Sequence, residues 1–537
     1  MLGYRERRQL KAQQQQQALG QQVQGEQRIS LPAPRTMNSR DNALALPEGH
    51  SPLIEDMIPS DGGLKIMPRP ISRAILASTT ANTPGAFITY YGSGSASAEF
   101  WVQCGSDIHR LTDNINGAVV TASVDLSTVV NGDWVEFNKT IIYVTGEGPT
   151  APKQWTRSGG WTNWGASVSA AVSIGVMWGV HAHKNRVYAW PRQGTEFYYG
   201  SVDQPLGILH QFDLAPVMTG HIRCVLTLPR DGGSGPDDYI AFISDIGDVV
   251  VYQGSNPGDA NDWALVGTYK IGKPVGRNSH YTHINQTVVM CEDDFYFLPQ
   301  DLYGEHKRSL AADFRGVETG RTTHVTNGVF HAKEGKVIFS DGSVLDPSRN
   351  WAYSTITLIS APPHRLRSNA NDPHDSGATT LRASLGEFHG EVYSLKRYNP
   401  AAANSASLQI VDHIWGSNTN RAARVRTNVL PTRGRTVISL VNPIIGVEPR
   451  SSQSAGVPMG LTYFTGVEYD NYRRPYATAS SDVLVASTAS SQTDGQWTPG
   501  FGNGDDAQIY IETVTASAQR DIFLYSINLT ASDTGGI

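Results

Sequence analysis

A few groups of side chains in this 537-residue chain have the makeup that metal or acid–base chemistry uses. His181 and His183 stand two residues apart in an alternating stretch, which puts both rings on one strand face, and His280 and His283 form a second close pair. Two imidazoles are half of a zinc site, and neither pair has a carboxylate or cysteine nearby to complete it, so both read as structural histidines. Asp231, Asp237 and Asp238 lack the spacing of a calcium-binding oxygen ladder and read as a solvated turn. Cys104, Cys224 and Cys291 are odd in number and far apart, which predicts buried free thiols and a reducing site of synthesis.

The common catalytic signatures are missing. There is no G-x-S-x-G elbow for a nucleophilic serine and no glycine-rich phosphate cradle. Ser340-Asp-Gly-Ser343 and Asp494-Gly-Gln-Trp497 are fragments of a sialidase-type turn without its full pattern. Paired carboxylates for glycoside hydrolysis depend on a separation that only the fold sets. The expectation is therefore a protein with no catalytic, cofactor-binding or metal residues, and not an enzyme.

The elements around these residues read as short strands. Asp238–Ser244, Asp248–Tyr252 and Trp263–Ile271 follow one another with only short breaks. Alternation sends Ile240 and Phe242 to one face and Ala241 and Ile243 to the other, and it divides Val249 and Val251 from Val250 and Tyr252 likewise. Both faces are apolar, so a sheet of this kind needs cover on both sides. No long stripe of 3.6-residue period follows to supply helices, which leaves neighbouring sheets as the cover and a β-propeller as the architecture. The same grammar recurs from Ile71 to about Trp415, at Ala86–Tyr91, Asp133–Phe137, Trp178–His183, His280–Met290, Lys336–Phe339 and Gly386–Ser394. An interval of roughly 40–55 residues gives six or seven blades.

Composition agrees with an all-β body: 53 Gly and 29 Pro for turns, and 11 Trp and 22 Tyr for strands. A net charge of −6 argues against a protein that grips nucleic acid by its phosphates. The N-terminus lacks a signal-peptide core, and no apolar run is long enough to span a membrane. Residues 1–70 read as an extended arm, polar and glutamine-rich at first, then interrupted by prolines 32, 34, 47, 52, 59, 68 and 70, with room for about one helical turn at Leu53–Ile58. Residues 71–417 read as the propeller body, with long connections at 231–238 and 361–380. Residues 418–537 alternate more cleanly and read as a C-terminal β-sandwich-like domain.

Several of these segments, in order, resemble the tail nozzle or tail hub proteins of short-tailed bacteriophages, the tail tubular protein B class. They are Met37–Pro47 leading to Asp61–Arg69, Tyr198–Gly207 with Phe212-Asp-Leu214, and Asp231-Gly-Gly through Asp238. Gly247–Gly254, Asn256-Pro257, Trp263–Gly267 and Ile271–Gly276 complete the set. The likeness covers about residues 30–300, and it departs at Ile66-Met-Pro-Arg-Pro70, where the family's glycine after arginine-proline is missing.

The resemblance implies a structural virion protein: a homo-oligomeric ring, six subunits in the family, below the portal and adaptor. Such a ring conducts and gates the genome, with tail adaptor protein, tail fibres or tailspikes and transiently passing double-stranded DNA as partners. Assembly in the host cytoplasm and location in the phage tail follow from it. Few phosphate-gripping cations means little drag on passing DNA, and an arm that crosses to a neighbour suits an obligate ring interface. The competing readings are a cell-surface glycan-binding or glycan-cleaving propeller and a head-to-tail connector.

Overall fold

The structure, a computed structural model, describes the chain continuously over residues 132–146, 151–169, 172–228 and 238–274, and in shorter segments between 26 and 126 and between 276 and 533. Among these residues the elements are β-strands, with a single turn of 3-10 helix at Ile174–Val176. Stretch 53–58, read from sequence as room for a helical turn, instead holds strand Leu53–Glu55 and the start of strand Met57–Ser60. Pro52 and Pro59 favour an extended path there, and pairing with other strands decides it. Residues 1–25 and the connections 231–237 and 361–380 lie outside the described residues.

Small antiparallel meanders follow one another between residues 71 and 412 among the described residues, the one from Gly328–His331 to Trp351–Ser354 being joined through Leu53–Glu55 to the large sheet of the chain ends. We number them I to VII by their first strands: Phe87–Tyr90, Asp133–Phe137, Met177–His183, Ile222–Leu228, His280–His283, Gly328–His331 and Leu385–Phe388. Each first strand pairs antiparallel with the next strand in sequence, and the meander continues outward. The first strands of successive sheets also touch one another, I to II and on to VII, and that of VII touches that of I. They therefore form a closed inner ring with the sheets radiating from it, which is a β-propeller. Sheet VII fastens the ring, because its outer strand Ile71–Leu76 comes from the N-terminal side and pairs antiparallel with Leu408–Asp412.

Sheet IV shows why the sequence folds this way. Its strands are Ile222–Leu228, Tyr239–Ser244, Asp248–Gln253 and Ala264–Lys270, in that spatial order. Ile240, Phe242, Val250 and Tyr252 pack toward sheet III, where they join Trp190 and Phe197. Ala241, Ile243, Val249 and Val251 pack toward sheet V, where they meet Val289 and Leu298. The alternation expected from sequence thus divides one sheet between two seams. Each large apolar side chain buried in such a seam contributes about 1.5–3 kcal/mol. Comparable apolar clusters fill the I/II, II/III and VII/I seams.

Two features of sheet IV differ from the reading. Ala264–Lys270 is the outer edge strand, and Leu265 on it is 46% exposed, so this strand has no cover on both faces. The innermost strand is Ile222–Leu228, which Arg223 and Thr227 disguise by interrupting the apolar run. The tight hairpins carry their own signature. Asn138-Lys139, Lys184-Asn185 and His389-Gly390 all have positive φ, as two-residue hairpin turns require for the right-handed twist of the strands they join.

Strands from the two ends of the chain share one sheet. The long strand Arg520–Asp533 pairs along one edge with Leu430–Pro449. Its other edge carries Glu26–Pro32, opposite Ser526 to Ser532, and then Gly63–Ile66, opposite Phe523 and Leu524. Leu53–Glu55 pairs with Arg424–Arg426, which in turn pairs with Gly504–Ala516. Strands Glu26–Pro32, Leu53–Glu55 and Gly63–Ile66 are therefore built into the sheet of the C-terminal strands of their own chain.

Candidate functional site

The first strands of the sheets bring polar residues together at the centre of the ring, and the densest group lies where strands II to V begin. Asp133 opens the first strand of sheet II and is buried. Its Oδ2 accepts the Val180 N–H of sheet III at 3.0 Å, and its Oδ1 accepts the Trp134 N–H at 2.9 Å and the Asn278 side-chain amide at 2.7 Å. Asn278 sits just ahead of the first strand of sheet V, so one carboxylate ties three sheets. Arg277, only 4% exposed, donates from Nη1 to the Trp178 carbonyl at 2.5 Å. Its guanidinium lies 4.8 Å from the centre of the Trp178 indole, and that of Arg223 lies 5.4 Å from it. Both distances are within reach of cation–π attraction.

Burial pushes the Asp133 carboxyl up from the ordinary carboxylate range, with the charge of Arg277 and the three N–H donors working against that rise. Burial likewise raises the Tyr143 phenol at the same place. The approach around Trp178 is close enough to dictate a glycine: Gly146 has φ +66°, and a Cβ there would come within 2.5 Å of the indole. Arg277 thus bears on both the Asp133 carboxyl and the Trp178 indole, and Arg223 on the same indole, so the cluster ties the starts of sheets II to V together.

Further along the same strands lies the histidine group. Thr227 Oγ1 of sheet IV is 3.0 Å from His181 Nε2 and 3.0 Å from His183 Nδ1 of sheet III. One hydroxyl proton cannot serve two acceptors, so at least one ring must donate to the threonine oxygen. His280 of sheet V is close enough to His181 for their charges to repel. Burial pushes His181 down to about 3, His183 to about 4 and His280 to about 4, with further lowering from the neighbouring rings at His181 and from Lys184 at His183. His183 Nε2 and His280 Nδ1 are buried without a hydrogen-bond partner. Rings this weakly basic are poor general bases near neutral pH. Chain proximity suggested the pairs 181/183 and 280/283. The fold instead gathers 181, 183 and 280 with Thr227 from three strands, which no local spacing could reveal.

The other residues singled out by sequence fall elsewhere. Cys104, Cys224 and Cys291 are buried and outside any disulfide, and burial pushes the Cys224 thiol up to about 12. Asp231 and Asp237 lie outside the described residues. Among the described residues no group of histidine, cysteine and carboxylate side chains could hold a metal ion. No helix there is long and apolar enough to cross a membrane. At the I/VII closure, the Tyr91 hydroxyl donates to the Glu387 carboxylate, and Thr89 Oγ1 donates to the Glu387 carbonyl at 3.1 Å.

No family model matches the chain, and no curated protein matches it. Among solved structures it is similar to a chain of a nidogen/laminin complex, at 10% identity and TM-score 0.30, covering 51% of this chain and 95% of that one. It is also similar to YCF48 bound to a D1 peptide, at 11% identity and TM-score 0.33, covering 68% of this chain and 99% of that one. YCF48 from Cyanidioschyzon merolae gives 14% identity and TM-score 0.25, with 59% and 80% covered.

Proposed function

We propose that this protein is a structural, non-enzymatic subunit of a ring-shaped tail nozzle of a short-tailed bacteriophage, placed below the portal and adaptor, where it conducts and gates the passing genome. The observation that carries the reading is where the resembling segments fall. Phe212, Tyr252 and Trp263 come from three of them and pack together at the III/IV seam, with Tyr252 and Trp263 stacked at 5.0 Å and Phe212 edge-on to both. The loop Tyr198–Gly207 is held to sheet II by Trp164 Nε1, which donates to the Pro205 carbonyl at 2.7 Å, and by Asn138 Nδ2, which donates to the Asp203 carbonyl at 2.8 Å. Asp262 Oδ2 accepts from the N–H and hydroxyl of Ser255 and from the Asn256 N–H, which fixes the turn around Asn256-Pro257. Segments scattered in sequence thus serve one piece of architecture, which supports a likeness of fold and role.

In this reading residues 71–417 are a seven-bladed body, 1–70 an arm, and 418–537 a C-terminal β domain completed by strands of that arm. Copies join into a closed ring, six in the family, that meets the adaptor on one side and fibres or spikes on the other. The excess of acidic over basic residues, 49 to 43, suits a conduit that must not hold DNA. The mass of the purified full chain in solution, alone and with a tail adaptor protein, tests the proposal. A closed ring, or recruitment into one by the adaptor, is expected. A persistent monomer with affinity for glycans would overturn it.

A further inference from the structure

We infer that the strand Glu26–Pro32 is exchanged between copies, so that each subunit of the ring completes its neighbour's C-terminal sheet. This rests on the ring reading above and names the contact that closes the ring. The long strand Arg520–Asp533 has one edge filled by Leu430–Pro449. Among the described residues its other edge, from Phe523 to Ser532, is covered by arm segments, Gly63–Ile66 and Glu26–Pro32, with the Ala33 N–H donating to the Tyr525 carbonyl at 3.1 Å between them. Without Glu26–Pro32, seven residues of ladder stand open, and such an edge accepts whichever matching strand reaches it.

The attachment of that strand is the kind that transfers. Arg28, Ser30 and Pro32 are exposed, and Ile29 and Leu31 are only half-buried. Among its described side chains the hold is therefore the backbone ladder with two modest apolar contacts, opposite Leu529 and Ile527, ahead of the buried Ala33 and Pro34. The same contacts form whether the strand comes from its own chain or from a second copy, so tether and geometry decide between them. If Leu53–Glu55 keeps its pairing, the 20 residues from Ala33 to Pro52 form the tether. Extended, they reach up to about 70 Å, which spans a domain. Within this tether the described pairing is only two residues long, Thr36-Met37 with His50-Ser51. A head-to-tail chain of copies leaves one edge bare and one strand undocked, whereas a closed ring leaves neither. Exchange therefore favours closure.

The test uses Ser30 and Asn528, which face each other in the register. Full-length chains carrying Ser30→Cys and chains of different mass carrying Asn528→Cys are co-expressed, purified as the mixed oligomer and oxidised. The three native cysteines are buried and give little background. A disulfide-linked product of the summed mass, lost on reduction and missing when either substitution is omitted, is expected. A ring that forms without this product overturns strand exchange and leaves the nozzle reading standing. A protein that stays monomeric with and without adaptor overturns both.

Discussion

Acid should loosen the centre of the propeller before it titrates the carboxylates of Asp248 and Asp262. His181, His183 and His280 are held neutral, with folded-state values of about 3, about 4 and about 4 against 6.5 for a free imidazole. The unfolded chain therefore takes up protons first as pH falls. The stability from keeping these rings neutral is complete above pH 6.5 and is lost progressively toward the folded values. Lowering the pH from about 7.5 to about 5 costs about 2 kcal/mol for each ring, or about 6 kcal/mol for the three together. His181 and His280 keep some exposure, which relieves part of this cost and brings the expected loss to about 3 kcal/mol. Loss on that scale is a large fraction of the stability of a typical domain, about 5–15 kcal/mol. The carboxylates of Asp248 and Asp262 are lowered from 3.8, so their contribution disappears only below the window tested. Urea midpoints measured in steps across the window should fall with acid. His183→Asn, which keeps an acceptor or donor where Nδ1 meets Thr227, should make the fall shallower by about two-thirds. A midpoint flat from neutral to mildly acidic pH, or a slope unchanged in His183→Asn, would refute the reasoning.

Asp133→Ala should destabilise the body by about 3–5 kcal/mol in urea unfolding, because it strands the buried Val180 N–H, the Trp134 N–H and the Asn278 amide. Asp133→Asn, which keeps acceptors for part of the network, should cost distinctly less. Gly146→Ala should lose about 1–3 kcal/mol, since its φ of +66° and the indole of Trp178 both exclude a Cβ. Phe242→Ala, fully buried where it stacks on Phe197 at 4.5 Å, should cost about 3–5 kcal/mol in the same assay.

Much of the body was legible in the residues themselves. Strand alternation is local, so Ile240/Phe242 and Ala241/Ile243 declare two buried faces without any structure, and those faces prove to be two different seams. The turn pairs Asn138-Lys139 and Lys184-Asn185 mark their hairpins for the same reason. By contrast, the innermost strand of sheet IV escaped notice because Arg223 and Thr227 meet the Trp178 indole and the histidines of sheet III and are not obliged to be apolar. The polar centre was legible only in fragments. Asp133 and Asn278 are 145 residues apart, and nothing in either neighbourhood announces the other.

The sequence by itself determined what each short stretch must do, because burial of an alternating strand and the backbone of a two-residue turn depend on neighbours in the chain. Only the tertiary structure decided which stretches meet. It placed Thr227 between two histidines, stacked Arg277 on Trp178, closed the ring with Ile71–Leu76, and laid residues 26–33 along a strand some 500 residues away. Those contacts depend on how sheets pack around a common centre, and that packing sums many weak burial terms that no local window contains.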